Sequence, residues 1–114
     1  MKIHYLEVVT DNVDITCTHY ESIHSVSFGE PDVRLGNARV AELKGGSLIG
    51  IRATMSDQEN PVIRPYFLVS DIDAAIDIAQ TMGAILLHPA LEIPDLGQFA
   101  IYELGGIQYG LWQL

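Results

Sequence analysis

The sequence predicts an α+β domain of two tandem βαβββ modules that face each other around a cleft. Three observations carry this. A glycine pair followed by a third glycine occurs twice, as Gly45-Gly46 with Gly50 and as Gly105-Gly106 with Gly110. At the same spacing Ile3, Val9 and Asp11 are matched by Ile63, Val69 and Asp71. The triplets Val9-Thr10-Asp11 and Val69-Ser70-Asp71 each close an apolar run and open a helix-like segment. A unit this short cannot bury its own apolar face, so an internal duplication implies a fold made by docking its two copies.

The first module spans residues 1–55. Residues 3–9 are rich in β-branched and aromatic types and stop at Asp11-Asn12, either of which can cap a helix. Residues 13–27 lack glycine and proline and place Val13, Cys17, Tyr20 and His24 on one helical face. Ser25 to Phe28 reads as a short strand. After a loop through Pro31 and Gly36, the runs Asn37–Leu43 and Ser47–Thr54 form a hairpin at Gly45-Gly46, where glycine allows positive φ.

Residues 56–60 are polar and without periodicity, a linker. The second module, 61–114, repeats the order. Ile63–Val69 is a strand. Asp71 caps a helix whose Ile72, Ala75, Ile76, Ala79 and Met82 make an apolar stripe, and Gly83 ends it. Ala84–Leu87 is a short strand and Pro89–Gly97 a proline-containing loop. Gln98–Leu104 and Ile107–Gln113 make the last hairpin, closed by Gly105-Gly106.

Composition narrows the function. With 48% hydrophobic residues the chain is long enough for one real core. A formal charge of −9 and only 6 Lys and Arg argue against nucleic acid and anionic membrane surfaces, which are bound by clustered positive charge. No stretch has the length and apolarity of a bilayer span or a signal peptide, and the chain reads as cytoplasmic. A lone cysteine, Cys17, excludes an internal disulfide and a thiolate metal cluster; it reads as a buried apolar residue in a reducing compartment.

The two βαβββ units, the V-[TS]-D strand ends and the terminal pattern resemble the vicinal oxygen chelate superfamily of glyoxalases, bleomycin-resistance proteins and extradiol dioxygenases. The closest similarity is to its glyoxalase-like branch related to lactoylglutathione lyases and labelled as hydroxylases. It rests on Tyr5-Leu6-Glu7-Val8 and His19-Tyr20, on Pro65-Tyr66-Phe67-Leu68-Val69 with Asp71-Ile72-Asp73-Ala74-Ala75, and on Gly106 with Gly110-Leu111-Trp112-Gln113. Single-domain members of such a family pair as homodimers, and the resemblance implies the same here.

In metal-using members, ligands come from the first, fourth, fifth and eighth strands. Carried onto this sequence, those positions hold His4 or Tyr5, depending on a one-residue register choice, then Gly50, Arg64 and Gly110. Glycine offers no ligand and arginine repels a cation, so no metal and no cofactor are expected. His4 alone reads as structural, and His19, His24 and His88 show no metal-ligand spacing. Strand alternation places Tyr5 with Glu7, Gly50 with Arg52, Arg64 with Tyr66, and Gly110 with Gln108 and Trp112. Tyr5, Arg52, Arg64, Tyr66, Gln108 and Trp112 are thus candidate ligand-binding residues, with Glu7 a candidate general acid or base. The bland alternative pairs Glu7 with Arg64 and puts Trp112 in the core. Asp71, Asp73 and Asp77 read as cap and solvated helix face.

Three readings stay open. One is metal-independent binding of a small organic molecule, with the negative charge favouring a cation stacked on Trp112 and Tyr66. Another is a glyoxalase-like lyase or hydroxylase-type enzyme using Glu7, with Arg64 holding an anionic or carbonyl group. The last is a scaffold whose cleft is filled by its own side chains.

Overall fold

The computed structural model describes residues 1–114. The chain divides into two compact units, Tyr5–Ile63 and Arg64–Leu114, the latter joined by Met1–His4. Seven strands and two α-helices make it an α+β protein.

The first unit contains β1 (Ile3–Thr10), α1 (Val13–His24), a 3-10 turn (Val33–Leu35), β2 (Arg39–Glu42) and β3 (Leu48–Ala53). β1 runs parallel to β3 with Glu7 opposite Gly50, and β2 runs antiparallel to β3 on its other side. A parallel pair needs a crossover, and α1 supplies it. Asn12 rather than Asp11 starts the helix, its Oδ1 accepting from the Ile15 amide at 3.3 Å. Cys17 is buried as expected and packs with Val8, Phe28, Ala41, Ile49 and Ile51. Because strand side chains alternate, that core consumes one face of β1 and β3 and leaves Tyr5, Glu7, Gly50 and Arg52 on the other. Tyr5 thus shares its face of the sheet with Gly50, and His4 points to the other side of the strand.

The second unit contains β4 (Val62–Leu68), which carries the chain into it, then α2 (Ile72–Thr81), β5 (Ile85–Ile93), β6 (Gly97–Leu104) and β7 (Ile107–Gln113). β4 is parallel to β7 with Tyr66 opposite Gly110, while β7, β6 and β5 are successively antiparallel. The Asp71 carboxylate accepts from Ala74 at 3.0 Å, and the Gln113 side chain accepts from the Ile72 amide at 2.8 Å, so two orphan amides of α2 are satisfied. Ile72 and Ile76 pack on Ala100 and Leu111. Gly105 and Gly106 both have positive φ, +61° and +78°, as a two-residue hairpin matched to strand twist requires.

Two expected elements differ. Residues 25–28 form no strand: Ser25 turns left-handed to end α1, and the Phe28 amide donates to the Glu21 carboxylate at 3.0 Å instead of to a neighbouring strand. The first unit is therefore βαββ. Conversely, the loop expected from Pro89 is largely strand, because β5 runs on to Ile93. β5 pairs only with β6, so a proline on its open side removes no ladder bond. The register shifts between Leu86 and His88 and again between His88 and Leu91. No helix is long and apolar enough to cross a membrane.

Candidate functional site

The face of the first unit opposite α1 is built around one buried cation. Arg52 is 6% exposed and Glu7 8%. Arg52 Nε donates to Glu7 Oε2 at 2.8 Å, and Nη1 and Nη2 donate to the two oxygens of Glu59, each at 2.8 Å. Nη1 also reaches the Ala53 carbonyl at 3.0 Å. The hydrogen bonds that Arg52 donates to Glu59, and after them the one to Glu7, outweigh the penalty of burial and hold the guanidinium protonated far above its ordinary pKa. Glu59 also accepts from the Met55 amide at 2.7 Å, so it fastens the linker to the end of β3. The sequence puts Glu59 in a solvated run. Its only warning there is Arg52, an inward-facing cation on a strand with one inward carboxylate near it. Glu7, the candidate acid or base, has Oε2 committed to a guanidinium. Tyr5 is buried over Gly50, where a Cβ would fall on the phenol.

The corresponding face of the second unit brings together Arg64, Tyr66, Gln108 and Trp112. Arg64 is buried and donates from Nε and Nη2 to Gln108 Oε1, at 3.1 and 2.7 Å. Arginine has no acceptor, so the Gln108 carboxamide can face it only with its oxygen. Its NH2 group, a donor, is thereby directed away from the guanidinium. Tyr66 and Trp112 are 4% and 3% exposed and meet edge-to-face with ring centroids 5.8 Å apart. Trp112 Nε1 donates to the Leu96 carbonyl at 2.9 Å.

Around this buried pair lie three half-buried rings to which the sequence assigns no role. His4 lies 5.3 Å from Trp112, Phe99 lies 6.2 Å from Tyr66, and His88 stacks on Phe99 at 4.7 Å. Partial burial, and secondarily Lys2, push the His4 pKa down and favour its neutral form. His88 Nδ1 sits 2.7 Å from the Pro89 carbonyl, which can only accept; in the neutral ring Nδ1 carries the proton and Nε2 is an acceptor. The register shifts of β5 turn His88 onto Phe99, and no sequence periodicity announces them.

The residues present do not fit a divalent metal. A Cβ at Gly110 would fall on the Tyr66 ring, as one at Gly50 would on Tyr5, so tyrosines occupy the space next to both glycines. No three His, Cys, Asp or Glu side chains come together in a way that could hold an ion.

No protein-family profile matches the chain. No curated protein matches it either. Solved structures do. A variant of Streptomyces coelicolor methylmalonyl-CoA epimerase in complex with 2-nitronate-propionyl-CoA is similar with a TM-score of 0.77 at 13% identity, over 99% of this chain and 94% of that one. Methylmalonyl-CoA epimerase from Mycobacterium tuberculosis gives 0.72 at 16% identity, over 96% and 85%. A hypothetical protein from Bacillus halodurans gives 0.75 at 15% identity, over 99% and 94%. At such identities the likeness speaks for the fold, and the fold is that of the vicinal oxygen chelate proteins.

Proposed function

We propose that the chain binds a small organic molecule without a metal, at the face carrying Arg64, Gln108, Phe99 and His88, and that the bound group is a carbonyl or carboxylate oxygen beside a flat or apolar part. The observation that carries this is the locked Gln108 carboxamide. Its oxygen is spent on Arg64, so what it offers a ligand is a donor, and donors select acceptors. The Phe99–His88 stack supplies an apolar ledge of intermediate exposure. Of the two ligand classes left open by the sequence, a cation suits this face less, because Arg64 already places positive charge there and Trp112 and Tyr66 are buried against each other. Structural neighbours are captured with thioesters, methylmalonyl-CoA in one case, which carry such a carbonyl. Glu7 as acid or base belongs to an enzymatic alternative that its bond to Arg52 does not favour. We also propose pairing as a homodimer, supported by the exposed Ile85, Leu87 and Leu91 along β5.

The test is a thermal-shift screen of small carboxylates and carbonyl compounds against cationic aromatics, repeated on Gln108→Glu. That variant keeps an acceptor for Arg64 and deletes the NH2 donor. A ligand at a hundredfold excess over Kd stabilises the fold by about 2.7 kcal/mol, enough to read. Acceptor ligands should shift the wild type and lose most of that shift in Gln108→Glu. Shifts by cations alone, or shifts indifferent to the substitution, would sink the proposal.

A further inference from the structure

The first unit holds a second feature to which nothing above assigns a role. A cavity of about 390 Å³ opens where β1 gives way to α1 and β3 ends. None of Tyr5, Glu7 or Arg52 lines it, nor any residue of the second unit. Its size suits a small metabolite, at the low end of ligand pockets.

The charged lining is one pair, Arg39 and Asp14, 3.1 Å apart. The partners are held very differently. Arg39 is 25% exposed and has an independent anchor, since its Nε donates to the Gly29 carbonyl at 3.0 Å. It stays in place when Asp14 moves, and a guanidinium has five N–H donors to share. The Asp14 side chain is 89% exposed, and an ion pair so open to water contributes little, so Asp14 can swing off Arg39 at small cost. Beside the pair, Val13, Pro31 and Met55 give the lining an apolar part, while Thr54 adds a hydroxyl and Asn37 a carboxamide.

Opposite charges that separate cheaply beside an apolar wall match a ligand carrying both charges on one carbon. A simple carboxylate would satisfy Arg39 alone and a simple amine Asp14 alone. The chain's formal charge of −9 repels a small anion at long range but exerts no net pull or push on a zwitterion. We propose that this cavity binds a free apolar α-amino acid, with its carboxylate on Arg39, its ammonium on Asp14 and its side chain against Val13, Pro31 and Met55.

The experiment is an amide NMR titration of the full chain with L-leucine, with 4-methylpentanoate, which lacks the ammonium, and with L-leucinamide, which lacks the carboxylate. Leucine should give saturable shifts at Val13, Thr54 and Met55, and bind about tenfold or more tightly than either analogue, the usual scale for losing a charged hydrogen bond. Arg39→Gln and Asp14→Asn should each weaken leucine by a similar factor. Asp14 is exposed, so its variant tests the site without disturbing the fold, and an otherwise unchanged spectrum verifies this. Three results overturn the proposal: no saturable shift with leucine, 4-methylpentanoate binding as tightly as leucine, or leucine affinity unchanged in Asp14→Asn.

Discussion

Arg52 is one buried cation shared by two carboxylates, and that inequality decides what each replacement costs. Arg52→Leu withdraws the guanidinium from Glu7 Oε2 while leaving the carboxylate at 8% exposure, the situation in which breaking a buried pair costs about 3–5 kcal/mol. Glu59→Ala leaves Arg52 still bonded to Glu7 and to the Ala53 carbonyl, and frees a linker that water can reach. It should cost about 1–2 kcal/mol, near the range for single hydrogen bonds. Urea unfolding of the two variants measures the difference; equal losses would mean that Glu59, and not Glu7, is the partner that matters. The sequence makes half of this legible. Strand alternation puts Glu7 and Arg52 among the candidate cleft residues, but the pairing read from the sequence is Glu7 with Arg64; that Glu7 meets Arg52 follows from the pairing of β1 with β3, which sets both on one face. Glu59 is hidden, since its contribution depends on the path of an aperiodic linker. Gln108 is legible as a cleft residue, whereas the direction of its amide follows only from its contact with Arg64.

At the scale of elements, each module sets a tyrosine ring over a glycine of its last strand. Tyr5 and Gly50 make one such pair, Tyr66 and Gly110 the other, and in both a Cβ would meet the ring. Gly50 and Gly110, two of the glycines that mark the duplication, are therefore packing positions. Gly110→Ala should cost about 1–3 kcal/mol by overpacking, and in a Tyr66→Val background the same change should cost almost nothing. A double-mutant cycle by denaturant unfolding reads this coupling, and additive losses would refute the contact. Elements with strong local signals are the ones foreseen correctly. α2 has an apolar stripe from Ile72 to Ala79, an Asp71 cap and Gly83 with φ of +97°, each acting within a turn of its own position, whereas Met82, expected in the stripe, caps the helix and is 72% exposed. β5 escapes because its strand state comes from pairing with β6, a tertiary fact that overrides the warning of Pro89. The absent strand at 25–28 escapes for the same kind of reason, since a Glu21 side chain takes the bond that a strand would have used.

For the whole molecule, the duplicated pattern fixes the fold class, while 13–16% identity to the solved structures carries almost none of the chemistry across. What remains at this scale is charge and association. Each chain bears −9, so two chains repel when they pair. The opposing pull is apolar: β5 has an unpaired edge and exposes Ile85 at 60%, Leu87 at 45% and Leu91 at 51%. A long edge strand with such side chains, and with Pro89 as its main blunting device, offers a second copy both backbone bonds and apolar surface. Salt separates the two contributions, because screening shortens from about 10 Å at 0.1 M to about 3 Å at 1 M while apolar burial is kept or strengthened. The dimer should therefore become tighter as sodium chloride rises over that range, the opposite of an interface held by ion pairs. Sedimentation equilibrium at several loading concentrations measures this, and Leu87→Lys should shift the population toward monomer at every salt concentration. A concentration-independent monomer throughout would end the dimer proposal, and a dimer indifferent to Leu87→Lys would move its interface away from β5.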